Sequence, residues 1–280
     1  MRGTQELVEK RQLSLRDMAD KRIKLVPEDT VREVTGFIGK LFHESKASGI
    51  VVGLSGGIDS AVTCSLCVRA VGAKRVLGVL LFEGKSRSGP DFEDAKSLAK
   101  QLGIQTLEFD LDRTIAGFVK SSPIETGEKI VLGNLKARMR MSSLYFVANL
   151  RNLLVAGTGD RSEDLIGYFT KYGDGGVDFL PIAHLYKSQV KQLGRYLGIP
   201  DRIVDKPSSP NLWDGHKATD EIPLDYDQLD RALVCLFDMK IPPEEVGRGL
   251  GIEDAKIREI LSRHSTSEHK RTYPAMVRSW

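Results

Sequence analysis

Residues 50–60, Ile50-Val-Val-Gly-Leu-Ser-Gly-Gly-Ile-Asp-Ser60, join a short β-branched run to a glycine-rich turn. The β-branched run predicts a buried strand, and residues 61–68 predict a helix that ends at Gly72. In a strand–turn–helix unit of this kind, backbone N–H groups and the helix N-terminus converge on an anion. We therefore predict that the turn binds phosphate, with the Asp59 carboxylate placed to hold a phosphate-bound Mg²⁺.

The glycines and hydroxyls of the turn suit this role. Gly56 and Gly57 let phosphate oxygens approach the backbone closely, and Ser55 and Ser60 can add hydroxyl donors. The turn has no lysine, so it is not a GxxxxGK[ST] loop, and it is not GxGxxG. It resembles the SGGxDS loop of the ATP-pyrophosphatase superfamily, whose members cut ATP between the α and β phosphates. The alternative is an ordinary strand-to-helix turn that needs two glycines.

Composition limits the class of protein. With 280 residues, 41% of them hydrophobic and 28% charged, we expect one large soluble globular domain with small appendages. The net charge of +3 gives no argument for a nucleic-acid or membrane partner. No apolar run approaches the ~20 residues of a membrane span, and the N-terminus lacks a signal-peptide pattern, so we expect a cytoplasmic protein. Cys64 and Cys67 lie in a predicted helix, so we expect them to be buried there rather than to bind zinc.

Strand and helix patterns alternate along the chain. Further strands are predicted at residues 75–82, 104–109 and 152–156. One predicted helix begins at a capping box of Thr30 and Glu33, and another begins with Asp91 as its cap and ends at residue 102. Two more helices are predicted at 134–151 and at 185–197. This alternation predicts an α/β fold, a doubly wound and mostly parallel sheet with flanking helices.

Residues 205–225 predict a loop and 226–263 a small helical C-terminal region. We divide the chain into an N-terminal surface segment (1–27), an α/β domain (28–204) and a C-terminal region (205–280) that completes the site.

The predicted helix at 134–151 has two apolar faces. One carries Leu135, Met139, Phe146 and Leu150, and the other carries Met141, Leu144, Tyr145 and Ala148. A helix with this pattern is covered from two directions, which fits a subunit interface or a deep core position.

A second polar set follows the fourth predicted strand. It comprises Gly157-Thr-Gly-Asp-Arg-Ser-Glu163 and Phe169-Thr-Lys-Tyr-Gly-Asp-Gly-Gly-Val-Asp178. Ligands of open α/β sheets bind outside the carboxyl ends of the strands, so Asp59 and Glu163 could face one another there. Two carboxylates with phosphate oxygens suit Mg²⁺, and the Lys187 ammonium suits a leaving pyrophosphate. The alternative for Glu163 and Lys187 is a pair of solvated surface charges.

Taken together, six segments closely resemble NAD synthetases of the ammonia-dependent type. They are GLSGGIDS, LKARMRM, GTGDRSE, YFTKYGDGGVD, LYKSQV and SEHKR, and the match runs from about residue 28 to the C-terminus. The resemblance implies an adenine nucleotide alpha hydrolase-like fold and a homodimer. It also implies an ATP-dependent ligase that amidates deamido-NAD with ammonia through an acyl adenylate and releases AMP and pyrophosphate.

The resemblance also implies roles for individual residues. ATP would contact Gly53, Leu54, Ser55, Gly56, Gly57, Ile58, Asp59, Ser60, Thr158, Lys187 and Ser209, with Mg²⁺ on Asp59 and Glu163. Deamido-NAD would contact Arg138, Lys171, Asp178, His269 and Lys270, and Asp174 and Lys187 would be catalytic. Many members of the family read GTD at 157–159 and P[ST]AxL near Ser209, where this chain reads Gly-Thr-Gly and Pro207-Ser-Ser-Pro-Asn-Leu212.

Two rival functions remain open from the sequence, beside the question of the ammonia donor. Glutamine-dependent relatives carry an extra amidase domain, for which we expect no room in this chain, so free ammonia is the expected donor unless a separate amidase protein supplies it. A tRNA-modifying adenylase would use the same loop but predicts a basic face and often catalytic cysteines or zinc, which the sequence does not indicate. A nucleotide-binding sensor without chemistry would have little need for both carboxylates and Lys187.

Overall fold

The carboxyl-terminal edge of a parallel β-sheet organises the molecule. The structure is a computed structural model that describes residues 14–213 and 215–277. Strands β1 (Gly49–Gly53), β2 (Val76–Phe82), β3 (Gln105–Asp110) and β4 (Leu153–Ala156) form a four-stranded sheet in the order β3-β2-β1-β4. All three strand pairings are parallel. This arrangement confirms the predicted α/β class and the four predicted strands.

The strand order creates a crevice beside β1. The chain moves from β1 outward through β2 to β3, and then returns to place β4 on the opposite side of β1. Connections that leave two neighbouring strands in opposite directions open a crevice at the carboxyl end of the sheet. The turn after β1 and the segment after β4 lie on either side of that crevice.

Helices cover both faces of the sheet, and further, mostly short helices come after the last strand along the chain. They are α1 (Leu15–Ile23), α2 (Pro27–Ser45), α3 (Ile58–Val71), α4 (Pro90–Leu102), α5 (Asp112–Ser121), α6 (Lys129–Arg151), α7 (Arg161–Leu165), α8 (Lys187–Tyr196), α9 (Asp201–Val204), α10 (Tyr226–Leu233), α11 (Pro243–Leu250), α12 (Asp254–Thr266) and α13 (Glu268–Arg271). One apolar cluster packs α2, α3, α4 and α8 on one face of the sheet, and a second packs α6 on the other. Among the described residues, no helix is long and apolar enough to cross a membrane.

The N-terminal helix α1 packs on the C-terminal helices. Its Ala19 and Ile23 are buried in an apolar cluster with residues of α10, α11 and α12. The first part of the predicted N-terminal segment, residues 1–13, lies outside the described residues. The domain boundaries at 27/28 and 204/205 stay predictions.

Two predicted helix starts are wrong. Helix α2 begins at Pro27, and Thr30 lies inside it with its hydroxyl donating to the Val26 carbonyl at 3.1 Å. Proline suits the first helical turn because its missing N–H costs no hydrogen bond there, so it displaces the predicted capping box of Thr30 and Glu33. Helix α4 likewise begins at Pro90, and the Asp91 carboxylate accepts hydrogen bonds from Lys206 and Asn211 instead of capping the helix.

Helix α6 is longer than predicted, and only one of its two apolar faces is covered. It begins at Lys129 rather than at Asn134. Val147 and Ala148 pack on the sheet, whereas Phe146 and Leu150 are 63% and 73% exposed in the single chain. This pattern excludes the deep core position and leaves the subunit interface as the prediction for that face.

Candidate active site

The glycine turn between β1 and α3 is held by its own serines and by α4. Gly56 has a φ of +80°, and a Cβ there would lie 2.1 Å from the Asp91 carbonyl oxygen, so only glycine fits. The Ser60 hydroxyl donates to the Gly57 carbonyl at 3.0 Å, and the Gly57 N–H donates to Ser55 Oγ at 3.2 Å. The turn therefore presents its backbone at the N-terminus of α3.

One buried ammonium group joins both sides of the crevice. Lys187 Nζ lies 2.8 Å from Asp59 Oδ2 on α3 and 2.9 Å from Glu163 Oε1 on α7. The Lys187 side chain, at the first position of α8, is 0% exposed. The two predicted carboxylates thus face one another across a shared lysine. Lys187 and Glu163 are not a pair of solvated surface charges.

A third carboxylate, which the sequence reasoning missed, completes this cluster. Asp160 Oδ2 lies 2.8 Å from Lys187 Nζ, and both side chains are fully buried. Asp160 is also the N-cap of α7, because its Oδ1 accepts the Glu163 N–H at 2.9 Å. An aspartate that precedes a short helix by one residue is the available sequence signal, but it predicts only a cap. We call Asp59, Asp160, Glu163 and Lys187 the carboxylate–lysine cluster.

The cluster contains three carboxylates to one ammonium, and burial changes how readily each of them is charged. Burial, which is the largest effect, raises the pKa of Glu163 to about 8 against the opposing effect of Lys187. Burial raises the pKa of Asp160 to about 6 in the same way. Burial by itself would lower the pKa of Lys187, but the three carboxylates outweigh it and raise that pKa well above its usual value. In addition, Asp59 Oδ1 is a buried oxygen that has no hydrogen-bond partner among the residues that the structure describes. Three carboxylates beside one ammonium favour the approach of a further cation.

A second buried aspartate fixes the helices that carry the cluster. Asp230 on α10 accepts hydrogen bonds from the Ser162 hydroxyl at 2.5 Å and from the Ser188 N–H at 2.8 Å. The Lys187 N–H donates in turn to Ser162 Oγ at 2.9 Å. Sequence reasoning missed Asp230, which is far from the other residues along the chain. It locks α7 and α8 together and thereby sets the position of Glu163 against Lys187.

Thr158 and Ser209, the two predicted ATP contacts outside the glycine turn and the carboxylate–lysine cluster, lie on opposite walls of the crevice. Thr158 is half-buried in the segment between β4 and α7. The Ser209 hydroxyl donates to Asn211 Oδ1 at 2.9 Å, and Asn211 Nδ2 donates to Asp91 Oδ2 at 2.6 Å. Since the Asp91 backbone packs on Gly56, Ser209 lies on the wall formed by the glycine turn and α4.

Three of the five residues predicted to contact deamido-NAD lie together. Arg138 Nε donates to the Lys171 carbonyl at 3.3 Å, and Lys171 Nζ donates to the His269 carbonyl. By contrast, Lys270 Nζ is committed to the carbonyls of Gly167 and Phe169, at 2.8 and 2.7 Å. The exposed Arg138 guanidinium is therefore the cation of this group that is most accessible to a ligand.

The two remaining candidates hold backbone segments in place. Asp178 accepts the Val155 N–H at 2.7 Å and the Tyr145 hydroxyl at 2.9 Å, which attaches the 169–178 loop to β4 and α6. Asp174 Oδ1 accepts the Thr170 N–H at 2.8 Å within that loop. Both carboxylates shape the rim of the crevice at the carboxyl end of β4.

Comparisons with known proteins show the family to which the chain belongs. A family model described as NAD synthase matches residues 30–274. The NH(3)-dependent NAD(+) synthetase of Hyperthermus butylicus is 47% identical over 247 residues, which cover 88% of this chain and 89% of the relative. A solved NMN synthetase from Francisella tularensis has a TM-score of 0.80 and 32% identity, covering 92% of this chain and 100% of the other. A solved NH3-dependent NAD synthetase from Campylobacter jejuni has a TM-score of 0.77 and 29% identity, covering 91% and 100%. The chain belongs to the NAD synthase family.

Proposed function

We propose that this chain is an ammonia-dependent NAD synthetase that cuts ATP to activate the nicotinate carboxylate of deamido-NAD and then amidates it. The observation that carries the proposal is the carboxylate–lysine cluster beside the glycine turn, with Lys187 Nζ within 2.9 Å of carboxylates on both sides of the crevice. In a member of the NAD synthase family, that geometry suits ATP bound with its phosphates at the turn.

Asp59 and Glu163 are the residues that would hold Mg²⁺. The described residues contain no preformed group of three or more His, Cys, Asp or Glu side chains for a metal ion, so ATP phosphate oxygens would supply further ligands. When bound, Mg²⁺ supplies positive charge to the triphosphate. Two observations support this assignment: Asp59 Oδ1 has no hydrogen-bond partner in the described part of the chain, and the cluster contains three carboxylates to one ammonium.

In the first step, a nicotinate carboxylate oxygen attacks the α-phosphorus of ATP, and the bond from that phosphorus to the β-phosphate oxygen breaks. The products are an acyl adenylate and pyrophosphate. The N–H groups of the turn at Gly56 and Gly57 stabilise charge on the phosphates. Lys187, whose ammonium lies between Asp59 and Glu163 beside the turn, would stabilise the negative charge of the leaving pyrophosphate.

In the second step, neutral ammonia attacks the activated carbonyl carbon, and the bond to AMP breaks. A proton leaves the nitrogen as the amide forms, and a carboxylate at the rim can accept it. Asp174 is our candidate, because it lies in the 169–178 loop beside the group that contains Arg138 and Lys171. Arg138 is suited to grip a dinucleotide phosphate through its planar guanidinium.

We also propose that two copies form a homodimer through α6. Phe146 and Leu150 project from the face of α6 that faces away from the sheet and are largely exposed in one chain. Large exposed apolar side chains on one helix face mark an interaction surface. A second copy would cover this face and return the helix to the two-sided burial that its sequence pattern predicts.

The proposal is tested by product analysis. The protein is incubated with ATP, Mg²⁺, ammonium and deamido-NAD, and we expect NAD and AMP in equal amounts. Because one structural neighbour is an NMN synthetase, nicotinic acid mononucleotide is offered in a parallel reaction, and we expect lower kcat/KM with it than with the dinucleotide. AMP without NAD, or transfer of AMP to tRNA in place of turnover, would refute the proposal.

A further inference from the structure

Lys206 connects the glycine turn to two other parts of the crevice wall. Its Nζ donates to the Gly56 carbonyl at 3.0 Å, to Asp91 Oδ1 at 2.7 Å and to Asp94 Oδ2 at 2.7 Å. The three acceptors use the three N–H donors of one ammonium group. Its side chain is only 23% exposed, so these contacts are partly shielded from water.

The contact with Gly56 fixes the orientation of a peptide plane. The described chain has no cis peptide bond, so the Gly56 carbonyl and the Gly57 N–H point in opposite directions. Because Lys206 holds the carbonyl, the Gly57 N–H points away from Lys206. This N–H makes a hydrogen bond of 3.2 Å to Ser55 Oγ, at the long end of the normal range. A phosphate oxygen at the turn would compete for this N–H.

The same lysine anchors the segment that carries Ser209. Asp91 accepts from Lys206 on one oxygen and from Asn211 on the other, at 2.7 and 2.6 Å. The far end of the segment is held by α6, because Arg140 donates to the Pro210 and Asn211 carbonyls at 3.3 and 3.1 Å. Residues 206–211 are therefore fixed at both ends beside the glycine turn.

We propose that Lys206 is a positioning residue for ATP: it orients the Gly56–Gly57 peptide toward the phosphates and couples that turn to residues 206–211. The inference rests on the proposed function, because it assigns ATP to the turn. Lys206 does not touch the reacting atoms, and its ammonium is already used by three protein acceptors. Its effect on ATP comes through the backbone that it holds.

Lys206 can be replaced without leaving its two carboxylate partners unpaired. In Lys206→Met, Asp94 keeps its 2.7 Å contact with Arg202 and Asp91 keeps its hydrogen bond from Asn211, so neither carboxylate is left without a partner. Lys206→Arg retains the charge. The matched control is Lys100→Met, because Lys100 is an exposed lysine of α4 whose side chain makes no ion pair with the residues that the structure describes.

The test combines kinetics with amide hydrogen exchange. For Lys206→Met we expect the KM for ATP to rise about tenfold, because the Gly56–Gly57 peptide loses the charge-assisted hydrogen bond that orients it, with a smaller change in kcat. The KM for deamido-NAD should stay as in the wild type, and Lys206→Arg should recover part of the loss. Without ATP, the amides of residues 55–59 should exchange about tenfold faster in Lys206→Met, while those of α3 beyond its first turn stay protected.

Two results would overturn the inference. One is a KM for ATP and an exchange rate at residues 55–59 that match those of Lys100→Met. The other is an equal loss in both KM values and in kcat, together with faster exchange throughout the sheet, which would indicate a general structural role. A wild-type protein that makes no NAD would refute the proposed function instead, and the exchange comparison would still decide the role of Lys206 in the turn.

Discussion

Lys187 Nζ lies 2.8 Å from the Asp160 carboxylate, and neither side chain is exposed to solvent. A buried charge pair of this kind is maintained only when further groups satisfy both members. Lys187 is shared with Asp59 and Glu163, and Asp160 also caps α7. The pair therefore links the start of α8 to the start of α7, and the catalytic proposal depends on that link.

The two functions of Asp160 can be separated by substitution. Asp160→Asn keeps an oxygen that can accept the Glu163 N–H, whereas Asp160→Ala removes the cap as well as the charge. We expect the alanine variant to be less stable than the asparagine variant by about 1 kcal/mol, the usual value of an N-cap. Urea unfolding of both variants measures this difference. Equal stabilities would show that the cap contributes nothing.

Stability should depend on pH through Glu163. Its folded-state pKa is raised to about 8 from the ordinary value of 4.5, mainly by burial. Between these two pH values the folded state holds more protons than the unfolded state, so the free energy of unfolding falls as pH rises. Asp160, with its pKa raised to about 6, contributes in the same direction.

We therefore expect the Tm of the metal-free protein to fall between about pH 5 and pH 8, and the part due to Glu163 to level off above pH 8. Thermal unfolding monitored by circular dichroism measures this profile. Glu163→Gln should have a shallower profile, because its amide does not titrate. A variant profile with the same slope as that of the wild type would contradict the raised pKa.

Arg138 should affect the dinucleotide and not ATP. For Arg138→Ala we expect the KM for deamido-NAD to rise about tenfold or more, as for loss of a charge-assisted contact with phosphate, with the KM for ATP unchanged. Steady-state kinetics with each substrate varied separately gives both values. The control is Arg151→Ala, an exposed arginine at the end of the same helix. If Arg138→Ala behaves as that control does, Arg138 does not contact the substrate.

The α6 interface is tested through mass in solution. The exposed Phe146 should be essential to the dimer, so Phe146→Glu should convert a dimer to a monomer because a carboxylate cannot be buried there without a partner. Light scattering coupled to size-exclusion chromatography measures the mass, and the far-ultraviolet spectrum should not change. Tyr196→Glu, at another exposed aromatic residue, is the control and should leave the dimer intact. A dimeric Phe146→Glu protein would exclude this interface.

The sequence predicted the family, the fold class and the enzyme class, and the comparisons confirm these predictions. The sheet could be predicted because residues 50–52 and 76–82 are continuous apolar runs, and because helices alternate with them. The convergence of Asp59 and Glu163 followed from their places after two parallel strands. The roles of the individual site residues remain proposals.

Other features could not be predicted because they depend on distant contacts. Asp160 has the same local signature as any helix cap, and only the fold brings Lys187 to it. Asp230 and Lys206 act on segments that lie far away along the chain. The predicted start of α2 was wrong because a proline at the first turn outweighed a capping box that begins three residues later, and both are favourable local signals.

The acyl-adenylate route is tested most directly by following the oxygen of the substrate carboxylate. Deamido-NAD labelled with ¹⁸O in its nicotinate carboxylate is converted with unlabelled ATP and ammonium, and AMP and pyrophosphate are analysed by mass spectrometry. Because the carboxylate oxygen attacks the α-phosphorus, we predict one ¹⁸O atom in the phosphate of AMP and none in pyrophosphate. Unlabelled AMP, or label in pyrophosphate, would contradict the account.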